Sequence, residues 1–357
     1  MWPGSRAESA PKLRRLYYSL HMRPIVFLAA VLLTGCVRKV PRDERVYVSD
    51  EDGGNIIVIS TSDDSVVARI PVGKRPRGVR VSHDGARLFV ALSGAPKAGP
   101  GADETKLPPA DPSADGIGIV DLTSLKLLRV IPAGKDPAAF DVTADGKRLW
   151  VSNEDRAEAS LVDVEAGQVA LRAPVGKEPE GVGIHPEGRV VYVTNEADNS
   201  VSVLDIQTGK TVAQIATGGR PRSVIFTIDG VRAFVACEAT HSLTIIDART
   251  HMHSGELELP GDAMGPMRLA LSAKSRTLFV SNGRSIHVIA IDDAKPRLKR
   301  TIADAGVTPS GIGVTWAGDK LYTANGSAGD IAIIDTDTGA VSRHIAVGGS
   351  PWGIVVH

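Results

Sequence analysis

Glu180 to Pro221, EGVGIHPEGRVVYVTNEADNSVSVLDIQTGKTVAQIATGGRP, decides the fold. It contains four short runs, GVGI, VVYVTN, VSVLD and TVAQIATG, each alternating apolar with small or polar residues. Turn residues part them, His185-Pro186-Glu187-Gly188 after the first run and Thr208-Gly209 after the third. Such alternation marks strands whose two faces differ in burial. A sheet of four such strands cannot cover both its faces, so it needs copies of itself on either side.

The chain supplies those copies. An aromatic residue at the same place in the second run falls at Tyr47, Phe89, Trp150, Tyr192, Phe234, Phe279 and Tyr322, in steps of 42, 61, 42, 42, 45 and 43. The prolines Pro76, Pro137, Pro179, Pro221, Pro266, Pro309 and Pro351 step by 61, 42, 42, 45, 43 and 42, and Asp121, Asp163, Asp205 and Asp247 are 42 apart throughout. Four strands in a period of about 40 to 45 residues is the pattern of a propeller blade. The expected fold is therefore all-β: a seven-bladed β-propeller of four-stranded antiparallel blades, with the aromatics packed between sheets. The first unit starts at Arg45-Val46-Tyr47 without a leading strand, and the chain ends Pro351-Trp352-Gly353-Ile354-Val355-Val356-His357, which is such a strand. The C-terminal strand is expected to complete the first blade and remove the open edge.

Before the repeats, Met22-Arg23 leads into an apolar run, Ile25 to Leu33, too short to span a bilayer but suited to a signal-peptide core. Leu33-Thr34-Gly35-Cys36 resembles the bacterial lipoprotein cleavage box, which implies lipidation of Cys36. The expected division is a leader over 1–35, a tether over 36–44 and one propeller over 45–357, in an exported protein facing the periplasm or the cell surface. Met22 is an alternative start.

The 357 residues carry 41 basic and 41 acidic groups; the leader holds five basic and one acidic, leaving 36 against 40 and a net charge of −4. Lysines and arginines are spread over all the blades, about five to each, instead of clustering, so nothing points to nucleic acid. Of the two cysteines, Cys36 belongs to the leader. Cys237 takes the place of the asparagine that ends other second strands, and is read as a small packing residue. The 61-residue step comes from an insertion, Gly94 to Asp115, rich in proline, glycine and alanine and expected as a surface loop.

The Asp-Gly pairs 84–85, 145–146 and 229–230, with Glu187-Gly188 in the same slot, are turn chemistry. Asp121, Asp163, Asp205, Asp247 and Asp335 end third strands, where a carboxylate accepts from the amides of the next turn.

Val191-Tyr192-Val193-Thr194-Asn195 contains the tetrapeptide YVTN, with echoes at 46–50 (VYVSD), 149–153 (LWVSN), 278–282 (LFVSN) and 321–325 (LYTAN). These motifs resemble the YVTN-type β-propeller repeat family across the whole mature chain. Arg75-Pro76-Arg77-Gly78, Glu178-Pro179-Glu180-Gly181, Arg220-Pro221-Arg222 and the segment from Pro351 to Val356 are similar to the subset associated with PQQ-dependent catabolism. The lipobox and the insertion depart from that pattern. Propellers of this kind include binding scaffolds, metal-dependent lactonases and lyases, and haem-carrying reductase domains, so fold alone does not choose a function.

The resemblance implies ligand binding at one end of the central channel, where loops between blades converge. The residues after the closing prolines, Arg77, Ala138, Glu180, Arg222, Met267, Ser310 and Trp352, are expected to ring that mouth, with Glu154, Asn195, Glu196, Glu238 and Asn325 from a second set of loops. Arginines beside a tryptophan suit a small anionic ring compound or an acidic peptide of an envelope protein; alternatively the arginines pair with neighbouring glutamates and tie blades together. A catalytic calcium ion would need Glu51, Glu154, Glu196 and Glu238 to converge with Asn153 and Asn195. No CxxCH, phosphate loop or nucleophile elbow occurs.

The function expected from the sequence is a non-catalytic binding or scaffold propeller of the cell envelope, accessory to a periplasmic PQQ-dependent oxidation system, without catalytic or metal residues and without a resident cofactor. The alternatives are a metal-dependent lactonase- or lyase-like hydrolase and a haem- or quinone-associated electron-transfer propeller.

Overall fold

The computed structural model describes residues 44–97, 106–261, 264–272, 274, 276–306 and 309–357. The expected leader, the lipidation site Cys36 and nearly all of the tether lie outside the described residues. The described chain falls in one compact unit, Val40–His357.

Seven four-stranded antiparallel sheets follow one another around a central channel. The first blade is built from the chain's two ends: Pro351–Val356 lies innermost beside Arg45–Asp50, followed outward by Asn55–Ser60 and Val66–Pro71. Val46 pairs with Val356 and Tyr47 with Val355, and Arg45 and His357 exchange backbone hydrogen bonds of 2.7 and 2.9 Å. The expected closure is present, and it satisfies amide and carbonyl groups that an open ring would leave unpaired.

Second strands are the most buried elements, because both of their faces lie under neighbouring blades. In the fourth blade Val190–Asn195 is buried along its length, whereas the outer strand Thr211–Ala216 is mostly exposed. Trp150, Tyr192, Tyr322, Phe89, Phe234 and Phe279 are fully buried. Three of them also bond to the next blade through their polar tips: Trp150 Nε1 donates to Ile206 O at 3.1 Å, Tyr192 Oη meets His251 Nδ1 at 2.8 Å, and Tyr322 Oη donates to Asp64 Oδ1 at 2.8 Å. Each aromatic buries a large apolar area and fixes the blade-to-blade angle with one directed bond.

The turn reading holds in the same detail. Gly188 has φ +67°, which the two-residue turn after Pro186 requires. His185 lies in that turn as a brace, its Nδ1 accepting from Glu187 N at 3.1 Å and its Nε2 meeting Gly230 O at 2.9 Å in the next blade.

Candidate functional site

The inner strands Pro76–Val81, Pro179–Ile184, Pro221–Phe226, Pro266–Ser272 and Pro351–Val356 deliver a cluster of charges to one end of the channel. Their backbones are held by side chains of second strands, from the preceding blade or from their own. Ser49 Oγ donates to Arg77 O at 2.6 Å, Ser152 Oγ to Glu180 O at 2.7 Å, and Thr194 Oγ1 accepts from Gly181 N at 2.7 Å. The serine or threonine of the repeated VS/VT motif thus fixes a strand that carries a mouth residue.

Glu180 is the hub, 2% exposed. Its Oε1 accepts from Arg268 Nη2 at 3.1 Å. Burial works against its charge, but Arg222, then Arg268 and Arg77, outweigh that effect and hold the carboxyl down at about 2. Arg268 also donates from Nε to Ser310 O at 3.1 Å, and its guanidinium lies 4.6 Å from the Trp352 ring centre, with Arg77 5.1 Å from the same ring. Arg77 and Arg268 therefore both meet one aromatic ring.

Two flanks extend from the hub. On one, Arg77 stands 3.7 Å from Asp136 and 3.5 Å from Glu154. Burial, and then the negative charge of Glu180, push the Glu154 carboxyl up to about 7 despite the opposing pull of Arg77. About a third of its side-chain surface remains open (32%). On the other flank Arg222 and Arg220 both pair with Glu196, and Arg222 lies 3.3 Å from Glu238. Burial lowers the pKa of Arg222, and Glu180, Glu196 and Glu238 together reverse that shift and raise it.

Of the residues expected at the mouth, Arg77, Glu154, Glu180, Glu196, Arg222, Glu238 and Trp352 gather in this network. Asn195 and Asn325 do not. Both are fully buried inside their blades, where Asn195 Nδ2 donates to Ser200 and Ser202 at 3.0 and 2.9 Å and Asn325 Nδ2 donates to Asp330 at 2.7 Å. The equivalent Asn153 packs against Gly134, at φ +125°, where a Cβ would sit 1.9 Å from Asn153 Oδ1. These asparagines clamp the loop between blades. Arg268 escaped the sequence reading altogether.

The proposed calcium ligands do not converge. Glu51 pairs with Arg75 at 2.9 Å, Glu154, Glu196 and Glu238 face arginines, and Asn153 and Asn195 are turned into their blades. Among the described residues no three His, Cys, Asp or Glu side chains come together to hold a metal ion. Cys237 is buried, and burial raises its thiol pKa. The insertion's described ends reach the mouth: Arg75 Nη1 donates to Ala95 O at 2.6 Å, and Lys97 Nζ lies 2.8 Å from Ser350 Oγ and 3.3 Å from Glu51.

Residues 45–215 match the model of the choice-of-anchor I domain, and residues 175–264 match that of the seven-bladed β-propeller lactonases. No curated protein matches the sequence. Among solved structures, the Pseudomonas aeruginosa periplasmic gluconolactonase aligns with a TM-score of 0.70 at 18% identity, over 88% of this chain and 99% of that one. A putative 6-phosphogluconolactonase from Bacteroides fragilis gives 0.73 at 15%, over 89% and 99%, and Kuenenia stuttgartiensis hydrazine synthase 0.68 at 19%, over 83% and 92%. At these identities the structural likeness establishes the fold. The lactonase match, together with lactonases among the structural relatives, overturns the expectation of a non-catalytic scaffold and favours the hydrolase alternative. Together the matches mark the chain as similar to seven-bladed propeller lactonases.

Proposed function

We propose that the protein hydrolyses the internal ester of a polyhydroxylated acid, a sugar-type lactone, at the channel mouth. The observation that carries this reading is the Glu154–Arg77 pair: a partly open carboxyl held near neutrality, 3.5 Å from a buried guanidinium. A carboxylate with a pKa close to the working pH is a suitable general base. It takes a proton from water as the water oxygen attacks the lactone carbonyl, and Arg77 faces the negative charge that develops on the carbonyl oxygen. When the ring C–O bond breaks, the departing oxygen recovers that proton from Glu154. Lactone and water become one hydroxy acid, and no other reactant is consumed.

Glu180 and Arg268 act as a rigid floor that keeps Arg77 in place. Arg77 and Arg222, on the two flanks, already face carboxylates, so the site suits an uncharged lactone better than a phosphorylated one. The lipobox-like segment ending at Cys36 and the likeness to a periplasmic lactonase support a place in the cell envelope.

The test is the ring opening of glucono-δ-lactone by the purified full chain, followed by pH-stat against the spontaneous rate. A rate above background that falls about a hundredfold or more in Glu154→Gln is expected. A wild-type rate equal to buffer would overturn the assignment.

A further inference from the structure

Below the mouth the channel becomes a cavity of about 560 Å³ that runs toward the opposite face. Its walls are largely apolar, with Ile184, Ile225, Leu269, Val314, Val355 and Val356 half-buried along it. The far end is rimmed by Pro186 and by Ile228, which is 64% exposed. Arg268 and Trp352 line its inner end.

This construction follows from one position of the repeat. Two residues after each closing proline stand Gly78, Ala139, Gly181, Ser223, Arg268, Gly311 and Gly353. The glycines let inner strands crowd together: a Cβ on Gly353 would lie 2.3 Å from Arg77 O. Arg268 is the one large side chain in this ring of small ones, and it brings a cation to the inner end of the passage. Its carboxylate partner is Glu180, which also serves Arg77 and Arg222, and burial together with those two arginines lowers the Arg268 pKa. Besides Glu180 it donates to the Ser310 and Arg222 carbonyls, which leaves N–H groups uncommitted. The other charged pair along the channel, Arg80 and Asp141, is self-compensated at 3.5 Å.

A largely apolar passage with a guanidinium that keeps free N–H groups at its inner end is complementary to a molecule with an apolar tail and one negative head. We propose that the channel is a second ligand site, adjoining the mouth at Arg268, for a medium-chain monocarboxylate whose head meets Arg268 and whose tail lies toward Ile228. The cavity volume is in the range that encloses small organic ligands. The head gains a charge-assisted hydrogen bond that an alcohol of equal length forms more weakly.

Calorimetric titration of the purified full chain with decanoate and with decanol tests this. One decanoate per chain is expected, bound roughly tenfold or more tightly than decanol, as a bond to a charged group implies. Ile225→Trp, which fills the passage midway, should abolish binding, and Arg268→Met should remove the preference for decanoate. Should either variant fail to fold, 2-bromodecanoate added to the wild type should quench fluorescence that is lost in Trp352→Phe, because the bromine lies at the inner end. Absence of decanoate binding at millimolar concentration, equal affinity for decanol, binding that survives Ile225→Trp, or quenching unchanged in Trp352→Phe would each overturn the proposal.

Discussion

Arg268 Nη2 lies 3.1 Å from Glu180 Oε1, joining inner strands that are not neighbours, with Pro221–Phe226 running between them. The pair crosses the channel and makes the base of the mouth one electrostatic unit. Removing the shared anion should be more damaging than removing an outlying partner. Glu180→Ala is expected to cost about 3–5 kcal/mol in denaturant unfolding, because it strands buried guanidinium groups. Lys74→Ala, at the exposed Lys74–Asp111 pair, should cost under about 1 kcal/mol.

The pH dependence of activity should follow Glu154. With its carboxyl at about 7, kcat/KM is expected to rise as pH increases through 7 and level off above it, and the residual activity of Glu154→Gln should lack that rise.

Stability should respond to the two carboxyls in opposite senses. Glu154 has a raised native pKa, so its contribution is present below the ordinary carboxylate range and is lost as pH rises through 7. Glu180 has a lowered one, so its contribution is present above that range and disappears as pH falls toward 2. Melting curves from pH 5 to 8 should show Glu154→Gln gaining on the wild type as pH rises.

Substrate charge should matter in a defined direction. Glucono-δ-lactone is expected to be a better substrate than its 6-phosphate, judged by kcat/KM. Glu238→Gln, which withdraws one carboxylate from Arg222, should narrow the difference.

Trp150→Ala should cost about 3–5 kcal/mol, since a fully buried indole bonded to Ile206 O leaves both a cavity and an unpaired carbonyl. Chemical denaturation with an unchanged m-value would confirm that the loss is native-state packing.

The blade count and the closure were legible because they rest on period and on strand alternation, which every repeat states again. The aromatic positions and the Asp-Gly turns likewise kept the roles that their chemistry suggested. The mouth was legible in part. Arg77, Glu180, Arg222 and Trp352 each follow a closing proline, and strand geometry sends that position to the channel end. Asn195 and Asn325 misled because an asparagine after a strand looks like a loop residue, and nothing local reveals that the following serine or aspartate turns it inward. Arg268 was visible in principle as the large exception among Gly78, Ala139, Gly181, Ser223, Gly311 and Gly353. Its significance emerges when seven distant segments are placed around one axis. The near-neutral pKa of Glu154 arises from burial and from Glu180 in the next blade, which no single repeat contains.

The pairing of Pro351–Val356 with Arg45–Asp50 also has a consequence for biosynthesis. The innermost strand of the first blade follows the other six blades in sequence, so the nascent protein cannot close its circle before all of them have been synthesised. Until then the opening segment keeps an unsatisfied margin, a state that translocation machinery or chaperones can hold unfolded. A stop codon within the Pro351–Val356 segment would release a molecule with that margin permanently exposed.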